Sequence, residues 1–291
     1  MCCTVFANLF LCEVKMTRKI KTVDELTFSD DGMFQEVLRD SKISAELVEL
    51  LLGVKVDHVE YPELEKVIEP FYTTKGVRLD VYLKDNNKVI DVELQCYPQE
   101  ALGKRMRYYE AMLDMDALMK GEDYSQLKDS YVLFICKYDP FRDESGKAFR
   151  LSRYTFTNSC RENNQVELND KSHKVVYNSS CYEKEKDERI KALLRYVQKN
   201  EPGEDDLSNR LNALVKKIKE NEEFRRIYAA MNLHDRDIRK EGYEDGSRQK
   251  AIEAAVMLVK KYNASAEVAA KDAGAPLEKV LEALELVSEG V

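Results

Sequence analysis

Between Gly76 and Tyr97 the chain carries two runs of two-residue alternation separated by four polar residues, and few folds accept that pattern. Val77, Leu79, Val81 and Leu83 alternate with Arg78, Asp80 and Tyr82, while Ile90, Val92, Leu94 and Cys96 alternate with Val89, Asp91, Glu93 and Gln95. Successive strand residues point to opposite sides, so the pattern predicts two strands, each with one apolar face. The break Asp85-Asn86-Asn87-Lys88 suits a two-residue hairpin loop at Asn86-Asn87, because Asn tolerates the left-handed backbone of a primed turn. With Asp85 paired to Lys88, counting back along both strands sets Asp80 opposite Glu93 and Arg78 opposite Gln95. Directly opposed side chains have Cβ atoms roughly 4.5–5.5 Å apart, and like charges so placed destabilise a sheet. A chain that keeps this pair has reason to put something cationic between the two carboxylates.

The segments around the hairpin read as a mixed α/β fold. From Gly32 to Leu52, apolar residues at three- and four-residue spacing predict one helix, or two with a break near Ser41, stopped by Gly53. Val54–Tyr61 alternates as a first strand, and a polar connection through Pro62 and Pro70 leads to the hairpin. Pro98 ends the second hairpin strand, and Gln99–Lys120 reads as a helix. Tyr131–Cys136 is a continuous apolar run, as expected of a strand buried on both faces. Arg153–Asn158 and Lys174–Asn178 are two further short strands. From Glu183 onward the chain reads as charged helices interrupted at Pro202-Gly203, and Ala251–Leu286 as an alanine-rich helical section broken at Gly274-Ala275-Pro276. The order helix, strand, strand, strand, helix, strand sets helices against a small sheet whose central strands carry the carboxylates.

Composition narrows the function classes. A chain of 291 residues with 44% hydrophobic content supports a real core, in one large domain or two small ones. A net charge of −8 lacks the basic footprint usual in nucleic-acid-binding proteins and leaves room only for a local basic cleft. Seven cysteines, an odd number with no Cys-x-x-Cys spacing, argue against a disulfide framework and a structural zinc site, so free thiols in a reducing cytoplasm are expected. The apolar opening Met1–Cys12 has no basic leading region or small-residue cleavage site and is too short to span a bilayer, so no membrane association is expected. Residues 1–15 read as an extension from an upstream start codon ahead of Met16, and residues 1–23 as a poorly ordered N-terminal extension.

Several ordered segments together resemble one known group. Phe34-Gln35-Glu36-Val37-Leu38 looks like its opening helix, Gly76–Tyr82 like its aspartate strand, and Asp91-Val92-Glu93-Leu94-Gln95 like its Glu-x-Gln strand. Arg105–Tyr109, Gly121–Tyr124, Tyr131–Cys136 and Asp139-Pro140-Phe141 also stand where similar segments occur. The group is the PD-(D/E)XK nuclease superfamily, specifically the transposase-like recombination-promoting nucleases, and the similarity covers roughly Asp24 to Asp237. It implies a restriction-endonuclease-like core, an α-β-β-β-α-β mixed sheet flanked by helices, over residues 24–237 with a helical subregion from about 183. Residues 238–291 would form a helical C-terminal tail.

The resemblance also implies chemistry. Phosphodiester cleavage uses a divalent metal to neutralise the scissile phosphate and lower the pKa of the attacking water. Mg²⁺ typically takes one or two carboxylates plus water and phosphate. Asp80 and Glu93 supply the carboxylates for Mg²⁺ (or Mn²⁺), and the main-chain carbonyl of Leu94 is the third ligand the superfamily implies. Gln95 stands where its lysine usually stands; it can hydrogen-bond but brings no charge. Lys104 or Arg105, on the following helix, is close enough in sequence to reach back and replace that charge. Glu36 matches a position that supplies an extra carboxylate in some members, whereas Asp91 reads as a surface charge opposite Tyr82.

Arg105, Tyr108 and Tyr109 lie within one helical turn and suit contacts to phosphates and sugars of DNA, the implied partner. His58, His173 and His234 form no ligand spacing, and no Gly-rich phosphate loop is present. Ser265–Ala273 and Leu277–Leu286 have the outline of a helix-turn-helix, but Glu278, Glu282 and Glu285 make the second helix a poor surface for a DNA groove. Helical packing or self-association is the expectation there, with the Glu241-Gly242 and Asp245-Gly246 pairs as a mobile connection. The reading is a metal-dependent DNA endonuclease of a transposase-like family; the alternative is a non-catalytic DNA-binding or interaction module on a decayed nuclease fold.

Overall fold

The computed structural model describes residues 21–56, 63–68, 75–163 and 165–288. Its described part divides into one unit over Lys21–Phe224 and a helical part from Arg225. The first unit carries a six-stranded sheet, β1 (Glu63–Ile68), β2 (Val77–Lys84), β3 (Lys88–Gln95), β4 (Asp129–Cys136), β5 (Arg153–Phe156) and β6 (Ser172–Asn178), in the spatial order β1-β2-β3-β4-β6-β5. β3, β4 and β6 are mutually parallel and the other neighbours antiparallel. This is the mixed α/β, restriction-endonuclease-like arrangement implied above.

The hairpin has the predicted register. Lys84 pairs with Val89 and Val81 with Val92, and the Asp85 N–H donates to the Lys88 carbonyl at 3.0 Å. The turn differs from the primed type, since neither Asn86 nor Asn87 has a positive φ. The buried Asp85 carboxylate closes it instead, accepting from the Asn87 and Lys88 amides at 2.8 and 2.6 Å. Such a side-chain bridge satisfies the turn amides without left-handed backbone.

The first strand lies later than its expected place. Val54–Val56 are outside any strand and residues 57–62 lie outside the described part, while Glu63–Ile68, expected as a polar connection, is β1. An edge strand tolerates the charges that made this segment look like a loop. Lys66 uses its charge there on Asp116 at 2.7 Å and over the Tyr82 ring at 4.0 Å.

Helices cover both faces of the sheet. α1 (Asp31–Leu38) and α2 (Ser41–Leu52) meet at Asp40, whose carboxylate accepts from the Lys42 and Ile43 amides; this is the break expected near Ser41. Gly53 ends α2 at φ +70°, a conformation that favours glycine. α3 (Leu102–Ala117) buries Leu102, Met106, Tyr109, Met112 and Leu113 against Tyr82, Val89, Val132, Phe134 and Cys136. The opposite face meets the α2 side, where the Tyr177 hydroxyl donates to the Leu51 carbonyl. α4 (Glu188–Lys199) and α5 (Asp206–Glu220), each N-capped by an Asp, complete the unit around the expected Pro202-Gly203 interruption.

α6 (Glu222–Tyr262) runs unbroken through both Gly pairs, which corrects the mobile connection expected there. Glycine in a helix interior costs about 1 kcal/mol relative to Ala, a penalty that a helix 41 residues long absorbs. Its last turns pack with α7 (Ala266–Ala273) and α8 (Leu277–Ser288) around Ala255, Ala269, Ala270 and Val280, with Gly274 at φ +69° between the two short helices. Among the described residues no helix is long and apolar enough to cross a membrane, and Cys96, Cys136, Cys160 and Cys181 are free thiols.

Candidate active site

The β2–β3 ladder ends at Val81–Val92, and beyond it the strands part. The two carboxylates stand at that fork. The Asp80 amide donates to Glu93 Oε1 at 2.9 Å, and the Leu94 amide donates to Asp80 Oδ2 at 3.2 Å. Each side chain thus takes the place of a ladder carbonyl of its own strand, accepting from an amide on the opposite strand across the fork.

One group approaches from each covering helix. From α1, Gln35 Nε2 reaches Asp80 Oδ1 at 3.4 Å. From α3, Arg105 Nη2 forms an ion pair with Glu93 Oε2 at 2.8 Å, and its Nη1 donates to Gln95 Oε1 at 2.9 Å and to Gln99 Oε1 at 2.7 Å. Arg105 Nε and Nη2 both donate to the Tyr109 hydroxyl, at 2.9 and 2.7 Å. The guanidinium lies 5.3 Å from the Phe134 ring centre, and Phe134 is the β4 neighbour of Glu93. A residue one helical turn away and two neighbours on β3 therefore fix its plane. Arg105 is a cation at one of the two carboxylates, Glu93, and is bound to Gln95 as well.

Other candidates stand elsewhere. Lys104 is exposed on α3. Glu36 pairs with Arg39 at 3.0 Å, and the electrostatic neighbour from α1 is Asp31, which raises the pKa of both Asp80 and Glu93. Helical spacing carried this signal, since Asp31 and Gln35 share one stripe while Glu36 stacks with Arg39. Tyr109 is buried behind Arg105, and the Tyr108 hydroxyl donates to the Lys75 carbonyl at 2.5 Å, joining α3 to the chain entering β2. Leu94 O accepts a long contact of 3.4 Å from Gln95 Nε2.

Asp91 is the clearest departure from expectation. It is 0% exposed, and neither carboxyl oxygen has a hydrogen-bond partner. α3 covers the side of β3 that local alternation marks as polar, so the strand is buried on both faces.

Burial is the largest influence on all three acids. It raises Asp80 to about 6, against which the Leu94 amide works. It raises Glu93 to about 8, with Asp80 adding to the effect, and holds Asp91 well above the usual carboxylate range, with Glu93 adding. Burial lowers Arg105, but the charge of Glu93 and the Tyr109 contact outweigh it and the guanidinium stays firmly protonated. Glu93 and Asp91, both buried, and the part-buried Asp80 share one part-buried guanidinium, an arrangement whose ionised form a cation would stabilise. Among the described residues no three His, Cys, Asp or Glu side chains converge as a metal-holding group. Asp80, Glu93 and the Leu94 carbonyl are oxygen donors, the kind that Mg²⁺ takes.

In a comparison against protein families, the model described as PD-(D/E)XK nuclease family transposase matches residues 33–251. The chain belongs to that family. Membership in the PD-(D/E)XK nuclease family transposases supports a nuclease-like function and implies DNA binding. No curated protein and no solved structure matches the chain.

Proposed function

We propose that this PD-(D/E)XK family member is a metal-dependent DNA endonuclease of the recombination-promoting, transposase-like kind associated with mobile elements, working in a reducing cytoplasm. The observation that carries the reading is the pair Asp80 and Glu93 at the fork, with Arg105 joining Glu93 to Gln95.

Asp80, Glu93 and the Leu94 carbonyl would hold Mg²⁺ or Mn²⁺, which when bound lowers the pKa of a water and neutralises phosphate charge. Gln95 presents an amide that can orient the attacking water or a phosphate oxygen. Arg105 brings the positive charge that Gln95 lacks, in a water-poor site where a fixed guanidinium stabilises a phosphorane strongly. Gln99 and Tyr109 hold it in place before substrate arrives. Arg105 and Tyr108 border the fork on α3 and serve as contacts to the DNA backbone, whereas Tyr109 acts through Arg105. A second copy of the chain packs, in this reading, on the C-terminal helices, where Met257, Leu277 and Leu281 are 55%, 38% and 44% exposed.

Incubation of purified protein with supercoiled plasmid and Mg²⁺ or Mn²⁺, beside Asp80→Ala and Glu93→Ala, tests the activity. Nicking by the natural protein that both variants lose is the expected result. DNA binding without cleavage under either metal would overturn it in favour of a non-catalytic DNA-binding module.

A further inference from the structure

Hydrolysis at Asp80 and Glu93 leaves Asp91 without a task. A carboxylate withdrawn from water and left without a donor is costly, and a Leu or Asn of similar size would spare the fold that cost. Asp91 lies two residues before Glu93 on the same face of β3, between Tyr82 and Val132, and interacts electrostatically with Glu93, Asp80 and Arg105. Its two oxygens can accept several hydrogen bonds.

Nη2 of the nearby donor, Arg105, is held by a carboxylate only while Glu93 stays as it is, while Nη1 and Nε stay on Gln95, Gln99 and Tyr109. Arg105 Nη2 occupies Glu93 Oε2, and Asp80 N–H occupies Oε1. A divalent cation taken up by Glu93 must compete with the guanidinium for that carboxylate. Tyr109 receives Arg105 through both Nε and Nη2 and stands within the field of Asp91, so a guanidinium pivoting on this hydroxyl remains inside the site.

We propose that Asp91 is a positioning residue that receives Arg105 when Glu93 turns to the divalent cation, so that cation and guanidinium occupy the site together. The inference rests on the metal reading above. Removing Asp91 leaves Arg105 only its neutral acceptors, Gln95, Gln99 and Tyr109, beside Glu93, and the guanidinium then competes with the metal for that carboxylate.

Mn²⁺ binding to the full-length chain without DNA, measured by titration calorimetry, tests this on the natural protein, Asp91→Asn, Asp91→Leu, Arg105→Met and the Asp91→Asn/Arg105→Met double variant. Both Asp91 variants should bind Mn²⁺ about tenfold more weakly, and in the Arg105→Met background the Asp91→Asn effect should shrink to about twofold or less. Melting of the metal-free Asp91 variants at or above the natural temperature would exclude a folding defect. Unchanged Mn²⁺ affinity in both Asp91 variants, or an equal loss with and without Arg105, would overturn the proposal. If the natural protein and Glu93→Gln bind Mn²⁺ equally, the metal reading fails and this one with it. Loss of binding in Glu93→Gln alone, with Asp91→Asn and Asp91→Leu unaffected, sinks only the role of Asp91.

Discussion

Arg105 keeps about a quarter of its side chain in solvent while its partner Glu93 is 1% exposed, and this asymmetry decides what each substitution does. Truncating Arg105 to Ala strands a buried acid, so stability at pH 8 should fall by about 3–5 kcal/mol in urea titrations. Nicking should drop about 100-fold or more, as when a preorganised donor is lost. Arg105→Lys restores charge but not the two-nitrogen fork, so recovery should be partial. Lys104→Ala, on the exposed side, should cut within about twofold of the natural rate. The acids set a pH dependence of definite sign. Asp80 and Glu93 titrate near 6 and 8 in the folded protein against ordinary values of 3.8 and 4.5, so the folded state binds protons more tightly than the unfolded one. Their contribution to stability is fully present below about pH 4 and is lost as pH rises through 6 and 8. Melts in EDTA should therefore show a falling transition temperature over that window, with the upper part flattened by Glu93→Gln. If the proposed site holds Mg²⁺, the ion should raise the transition most at pH 8, where the folded site is deprotonated.

At the scale of elements, the hairpin tip is held by one side chain. Asp85→Ala removes the acceptor for the Asn87 and Lys88 amides, and urea unfolding should report a loss of about 1–3 kcal/mol. The register itself was legible, because alternation and a two-residue loop are local and leave one way to pair the strands. The turn chemistry was not, because a side-chain bridge and a primed turn serve the same loop length. In α1 the apolar spacing was legible while the choice between Gln35 and Glu36 was not; one residue along a helix rotates the side chain by roughly 100°, and only the packed helix shows which stripe faces the fork. α6 makes a direct test of continuity. A Cβ at Gly246 meets nothing within 4 Å, so Gly246→Ala should stabilise the helical section by about 1 kcal/mol, an effect a flexible linker would not give at that size.

For the whole molecule, the proposed single metal site per chain would cut one strand, so a protein that breaks duplexes would gain from pairing. Sedimentation of the full chain is expected to give a dimer, and Met257→Glu together with Leu281→Glu a monomer with unchanged helix content; both changes fall on exposed positions. The charged helices after Glu183 were legible as helices, but an edge strand written in charged residues at Glu63–Ile68 was not, since nothing local separates it from a polar loop.

By itself the sequence determined the pairing of the hairpin and the opposition of Asp80 to Glu93, both of which follow from spacing within a few residues. Only the tertiary structure decided that Arg105 and not Lys104 answers the acids, that Gln35 and not Glu36 attends Asp80, and that Asp91 lies under cover. The reason is that a strand's alternation names its two faces but cannot say what is laid over them. α3 joins the sheet after a break of several residues, and its packing turns the polar face of β3 from a surface into an interior.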